Sequence, residues 1–162
     1  MIIKKYKLKS FTDNRGFFLE TYSKKKFKDI SKLKFIEDDI SFSKKNVLRG
    51  FHGDFKTWKL ITCIYGNIQI GTINNIKNDK NFKSSKSYIL KSDQPSQILV
   101  PPGFGVAYLS LTKVAIISYK QTQYYGRNKQ FSINYNSPCV KFKWKTKKLI
   151  VSNRDKKSPY ID

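Results

Sequence analysis

Trp58-Lys59-Leu60-Ile61-Thr62-Cys63-Ile64-Tyr65-Gly66-Asn67-Ile68-Gln69-Ile70-Gly71-Thr72-Ile73 is the stretch that decides how this chain folds. Two runs rich in β-branched residues flank Gly66-Asn67, a pair suited to the tight turn of a β-hairpin. Upstream, Phe17-Phe18-Leu19-Glu20-Thr21-Tyr22 and Asn46-Val47-Leu48-Arg49-Gly50-Phe51-His52 read as further strands. Downstream, so do residues 88–90, 96–100, 107–111, 114–121, 132–135 and 140–144. Pro101-Pro102-Gly103 is a turn, because proline cannot continue a central strand. The one helical stretch is short, around residues 24–30. Many short strands at close spacing predict an all-β sandwich or jelly-roll barrel with one or two short helices. No repeat or linker interrupts residues 1–162, so a single domain is expected, irregular and basic from about residue 145.

Composition supports a packed core: 39% of the 162 residues are hydrophobic and 15% aromatic, too many for a disordered chain. The net charge is +22, but only four of the 33 basic residues are arginine, and the lysines are dispersed along the chain. Dispersed lysine argues against a nucleic-acid interface, which gathers Arg and Lys with aromatics. It still attracts small polyanions. No apolar run approaches the roughly 20 residues that cross a bilayer. The opening Met1-Ile2-Ile3-Lys4-Lys5-Tyr6 lacks a signal-peptide pattern. A cytoplasmic protein without membrane partners is expected, with Cys63 and Cys139 as reduced core thiols.

The chemistry must come from few groups. With His52 as the only histidine, a multi-histidine metal site is excluded. There is no glycine-rich phosphate loop and no nucleophile elbow. His52 ends a predicted strand whose alternation sets Leu48, Gly50 and His52 on one face, with Arg49 and Phe51 on the other. Gly50 and Gly53 leave room beside the imidazole for a ligand. A lone histidine at such a position is equally compatible with simple packing. Tyr119, inside the apolar strand Ile117-Ser118-Tyr119-Lys120-Gln121, is a candidate proton donor, and Ser152-Asn153-Arg154-Asp155 supplies a carboxylate. A carboxylate bonded to imidazole raises its basicity and fixes its tautomer.

In order along the chain stand Asp13-Asn14-Arg15-Gly16-Phe17-Phe18-Leu19-Glu20, Asn46 to His52, Lys59-Leu60, Tyr65-Gly66 and Pro101-Pro102-Gly103-Phe104. They are followed by Tyr119-Lys120-Gln121-Thr122-Gln123-Tyr124-Tyr125 and Ser152-Asn153-Arg154-Asp155. Together these motifs resemble the dTDP-4-dehydrorhamnose 3,5-epimerase family of cupin-like jelly rolls. The resemblance implies His52 as general base, Asp155 as its partner, Tyr119 as general acid and Lys59 as the cation near a keto oxygen. Arg15, Glu20, Glu37, Asp39, Arg49, Gln130 and Arg154 match positions that hold the nucleotide sugar. It further implies no cofactor or metal, and a homodimer in which residues 1 to about 25 cross over, so that Arg15 and Glu20 serve the neighbour's site.

The chain also departs from the family pattern. Val106 stands where rhamnose-pathway members carry a second histidine, and Gln130 replaces a glutamate. Glu37-Asp38-Asp39 replaces Gln-Asp-Asn, and Ile70 replaces an aspartate. The stretch from His52 to Gly66 resembles epimerases of GDP-linked 6-deoxy-4-keto-heptoses, so the expected substrate is either a dTDP-hexose or a GDP-heptose. Two alternatives are a 3,4-ketoisomerase, whose second histidine is replaced here by Asp54, and a non-catalytic sugar-nucleotide-binding cupin.

Overall fold

The structure, a computed structural model, describes residues 2–25, 30, 32–126 and 130–161. The elements in chain order are β1 (Lys4–Lys7), β2 (Ser10–Asp13), β3 (Gly16–Leu19), β4 (Glu37–Lys44), β5 (Val47–Gly53), β6 (Lys59–Tyr65) and β7 (Asn67–Asn74). There follow β8 (Ser85–Lys91), β9 (Ser96–Val100), β10 (Phe104–Ser110), β11 (Val114–Gln121), β12 (Phe131–Ser132), β13 (Ile150–Val151) and α1 (Asn153–Lys156). Two antiparallel sheets, β1-β9-β6-β11-β4 and β12-β5-β10-β7-β8, form a sandwich. Strand β13 runs parallel beside β5, and β2–β3 is a separate hairpin. The all-β expectation holds, but the expected hairpin does not form. Strands β6 and β7 flank Gly66, yet β6 lies between β9 and β11 in the first sheet and β7 between β10 and β8 in the second, so Gly66 carries the chain from one sheet to the other.

Three apolar clusters hold the sandwich. Ile61, Ile68, Ile98 and Ile117 fill the space between the sheets. Leu48, Phe51, Ala107 and Leu109 face outward from the second sheet, beneath Phe142 and Trp144. Leu60 and Leu99 on the outer side of the first sheet meet Ile30, Phe35 and Trp58. Being covered on both sides, β6 is buried from Leu60 to Cys63, which explains a largely apolar run whose one polar side chain, Thr62, donates to Gln97 Oε1 at 3.1 Å.

Some expected elements differ. Residues 140–144 form no strand, although Lys141 and Lys143 are exposed while Phe142 and Trp144 pack inward. Their backbone bonds to side chains rather than to a ladder: the Lys143 carbonyl accepts from Gln69 Nε2 at 2.9 Å, and the Lys145 N–H donates to Gln69 Oε1 at 2.8 Å. The segment from residue 145 contains β13 and α1 and is not wholly irregular. The helix expected around residues 24–30 lies largely outside the described residues. Strand β4 was missed because its alternation is inverted: Glu37, Asp39, Ser41 and Ser43 face inward, while Ile40 and Phe42 are exposed.

Candidate active site

Strand β5 carries the histidine, and its geometry corrects the simple alternation. His52 pairs with Val106, but Arg49 pairs with Tyr108. Three steps along β5 therefore match two along β10, which is a bulge. Arg49 and His52, assigned to opposite faces by a period of two, both line the same cleft. Gly50 makes the bulge possible. Its φ is +104°, and a Cβ there would run into the carbonyl oxygen of Val106 and the Ala107 backbone.

The carboxylate arrives from the far end of the chain. The parallel pairing Ile150↔Val47 and Val151↔Leu48 sets α1 beside β5. Ser152 caps this turn, its Oγ accepting from the Asp155 N–H at 3.1 Å. Asp155 is 3% exposed. Its Oδ1 lies 2.7 Å from His52 Nε2, and its Oδ2 accepts from the Gly50 N–H at 3.2 Å. Burial by itself pushes this carboxyl up, but the bonds from His52, Gly50 and Ser152 outweigh burial and hold it below the usual carboxylate range. With Nε2–H donating to Asp155, the other imidazole nitrogen is the one left to accept a proton.

Tyr119 on β11 and Lys59 on β6 line the cleft with the dyad. Burial pushes the Tyr119 phenol well above its ordinary range, the neighbouring Tyr108 adds to this, and Ser41 and Arg49 oppose it. Burial lowers Lys59 against the attraction of Asp54 and Asp39. A phenol that keeps its proton can serve as an acid, and a partly desolvated ammonium can serve as an electrophilic cation.

The inward polar row of β4 completes the wall. Asp39 Oδ2 accepts from Gln121 Nε2 at 2.5 Å. Glu37 Oε1 accepts from Gln121 Nε2 at 3.2 Å and from the Tyr125 N–H at 2.8 Å. The cleft between the sheets measures about 640 Å³, the size of an ordinary small-molecule site.

Of the residues singled out in the sequence, His52, Tyr119, Asp155, Lys59, Asp39, Arg49, Gln130 and Arg154 all line this cleft. Glu37 stands behind it, orienting Gln121 and Tyr125. Arg15 is outside it, at the tip of the β2–β3 hairpin, where its side chain is 85% exposed and pairs with Asp13 at 2.6 Å. Glu20 follows β3 and is also outside the cleft. Sequence reasoning missed Ser41, Tyr108, Gln121 and Tyr125 as lining residues; serines alternating with apolar residues along β4 were the available signal. Among the described residues, no three His, Cys, Asp or Glu side chains converge as a metal-ligand group.

A sequence model described as dTDP-4-dehydrorhamnose 3,5-epimerase matches residues 3–162. The Salmonella typhimurium enzyme of that name is 32% identical over 160 residues, covering 95% of this chain and 87% of that protein. The Escherichia coli enzyme is 32% identical over 158 residues, covering 94% of this chain and 85% of its own. Among solved structures, the Bacillus anthracis epimerase with TDP and PPi bound superposes with a TM-score of 0.92 at 29% identity, covering 98% of this chain and 94% of that one. The Legionella pneumophila dTDP-6-deoxy-D-glucose-3,5-epimerase in complex with dTDP-4-keto-L-rhamnose gives 0.92 at 27% identity, covering 98% and 87%. In sequence along nearly its whole length, and in fold, this chain belongs to the dTDP-4-dehydrorhamnose 3,5-epimerase family and is an isomerase.

Proposed function

We propose that the protein inverts C3, C5 or both in a nucleoside-diphosphate 4-keto-6-deoxy sugar by proton removal and return, with His52 as base and Tyr119 as acid. A 4-keto group acidifies the neighbouring C–H bonds, because the carbanion delocalises onto oxygen as an enolate. His52, oriented by Asp155, takes the proton; Lys59 stabilises the oxyanion; Tyr119 returns a proton on the other face. The observation that carries this reading is the 2.7 Å His52–Asp155 contact in one cleft with Tyr119 and Lys59. Arg49 and Arg154, in the same cleft, supply positive charge for the diphosphate.

Asp54, where a ketoisomerase would carry its second histidine, is used as a turn acceptor for the Lys56 and Thr57 N–H groups. That favours epimerisation. The dTDP-sugar in the Legionella relative favours a dTDP substrate, and the resemblance of residues 52–66 to heptose epimerases favours GDP. Both are tested together. Incubation in D₂O with each 4-keto-6-deoxy sugar nucleotide, followed by NMR, is expected to show deuterium at C3 or C5 with one of them. Absence of exchange with every candidate refutes the proposal.

The protein is further proposed to work as a homodimer in the cytoplasm. The outer face of β4 exposes Ile40 and Phe42, and the β2–β3 hairpin exposes Phe11, Phe17 and Phe18; such surface favours a second copy of the chain. Strand β1 pairs with β9 of its own chain, so the hairpin is the segment suited to carry Arg15 towards a partner. Buried free thiols at Cys63 and Cys139 fit a reducing compartment.

A further inference from the structure

Polar side chains facing the interior of a sandwich cost free energy unless they are hydrogen-bonded. Two of those on β4 converge on one atom. Tyr108 Oη lies 2.7 Å from Ser41 Oγ and 2.8 Å from Ser43 Oγ. Ser43 Oγ also accepts from Arg49 Nε at 3.1 Å. At the other end, Tyr119 stands on β11, paired with β4, and lines the same cleft as Ser41 and Tyr108, whose hydroxyls both bear on its acidity.

Donor and acceptor counting allows this cluster one continuous direction that starts from Arg49. Arginine only donates, whereas each hydroxyl has one proton to give. Ser43, accepting from Arg49, is free to direct its own proton to Tyr108. In that order Tyr108 donates to Ser41, which keeps its own proton to direct towards Tyr119. A phenylalanine would fill the site of Tyr108, which is 3% exposed, without a hydroxyl needing partners. The hydroxyl is therefore explained by the chain that it completes.

We propose that Tyr108 is a positioning residue, which orients Ser41 so that a directed chain of hydroxyls from Arg49 aims the Tyr119 hydroxyl and supports its phenolate after proton transfer. This rests on the epimerase reading. In that step the Tyr119 O–H bond breaks, a C–H bond forms from the enolate electron pair, and the phenolate accepts a hydrogen bond from Ser41. Solvent then removes the proton held by His52 and restores the one lost by Tyr119.

The test separates proton removal from proton return. In D₂O, isotope exchange at the carbon opens with His52, whereas net inversion also needs Tyr119. Tyr108→Phe is expected to lower inversion about fivefold to tenfold, the worth of one neutral hydrogen bond, with exchange much less affected. Ser43→Ala, which leaves the Tyr108 ring in place, is expected to lower the same ratio of inversion to exchange. The double variant is expected to be no worse than Tyr108→Phe alone. An equal fall in both rates, or an unchanged ratio in both single variants while the wild type exchanges and inverts, overturns the relay alone. A wild-type protein that exchanges with neither sugar nucleotide overturns the epimerase reading, and the relay with it.

Discussion

His52 Nε2 and Asp155 Oδ1 lie 2.7 Å apart although 103 positions separate the two residues in sequence. The same carboxylate also holds the Gly50 N–H, so it ties the bulge of β5 to the turn of α1. Asp155→Asn is expected to lower turnover about 10²-fold, within the usual worth of a positioned acid–base group, with the fold kept. Steady-state kinetics and circular dichroism check it. Asp155→Ala is expected to destabilise the protein by about 1–3 kcal/mol as well, because a buried N–H loses its partner; denaturant unfolding measures that.

The depressed acidity of Asp155 has a consequence for pH. Its folded value lies below its unfolded one, so its contribution to stability is complete above the ordinary carboxylate range. That contribution disappears as pH falls through the lower, folded value. Acid unfolding of the wild type is expected to steepen in this window, and Asp155→Asn to have a flatter profile there. Equal slopes for the two proteins would contradict the account.

Tyr119 and Lys59 are expected to fail in different ways. Tyr119→Phe removes the returning proton, and inversion should fall more than exchange. Lys59→Met removes a cation that stabilises the oxyanion before either fate is chosen. Both rates should then fall together, by about 10²–10³-fold. Parallel NMR measurements on the two variants distinguish them.

Gly50→Ala is expected to cost more than about 1 kcal/mol, since the residue sits at positive φ against the Val106 carbonyl. The variant should lose activity beyond what its thermal midpoint explains, because relief of the clash moves the segment carrying Arg49 and His52.

Subunit exchange tests the part assigned to Arg15. If it completes the neighbour's cleft, mixing Arg15→Ala with His52→Asn leaves one intact site in each mixed dimer, and activity reappears. Mixtures no more active than their components would confine Arg15 to its own hairpin. Light scattering of the wild type measures the dimer directly.

The fold was legible where burial matched period. Residues 58–73 announce β6 and β7, because β6 is covered on both faces and the turn residue Gly66 has φ of +76°. It was illegible where side chains reversed or imitated the rule. The serines and carboxylates of β4 face inward towards a polar cleft, which disguises a regular strand. Phe142 and Trp144 alternate with lysines like strand residues, yet they pack from a coil held by Gln69. His52, Lys59, Tyr119 and Asp155 could be named because their motifs recur in family order. Tyr108 could not, since its meaning lies in oxygen contacts with Ser41 and Ser43 that no spacing along the chain encodes.

The late arrival of Asp155 divides synthesis from competence. Once the chain has been translated through Gln121, all the strands of the first sheet exist, together with His52, Lys59 and Tyr119. The imidazole nevertheless has no counterpart until Ser152 has capped the last turn. Residues 150–161 therefore finish two things at once: Val151 and Ile161 join the apolar layer of Phe142 and Trp144, and Asp155 and Arg154 enter the cleft.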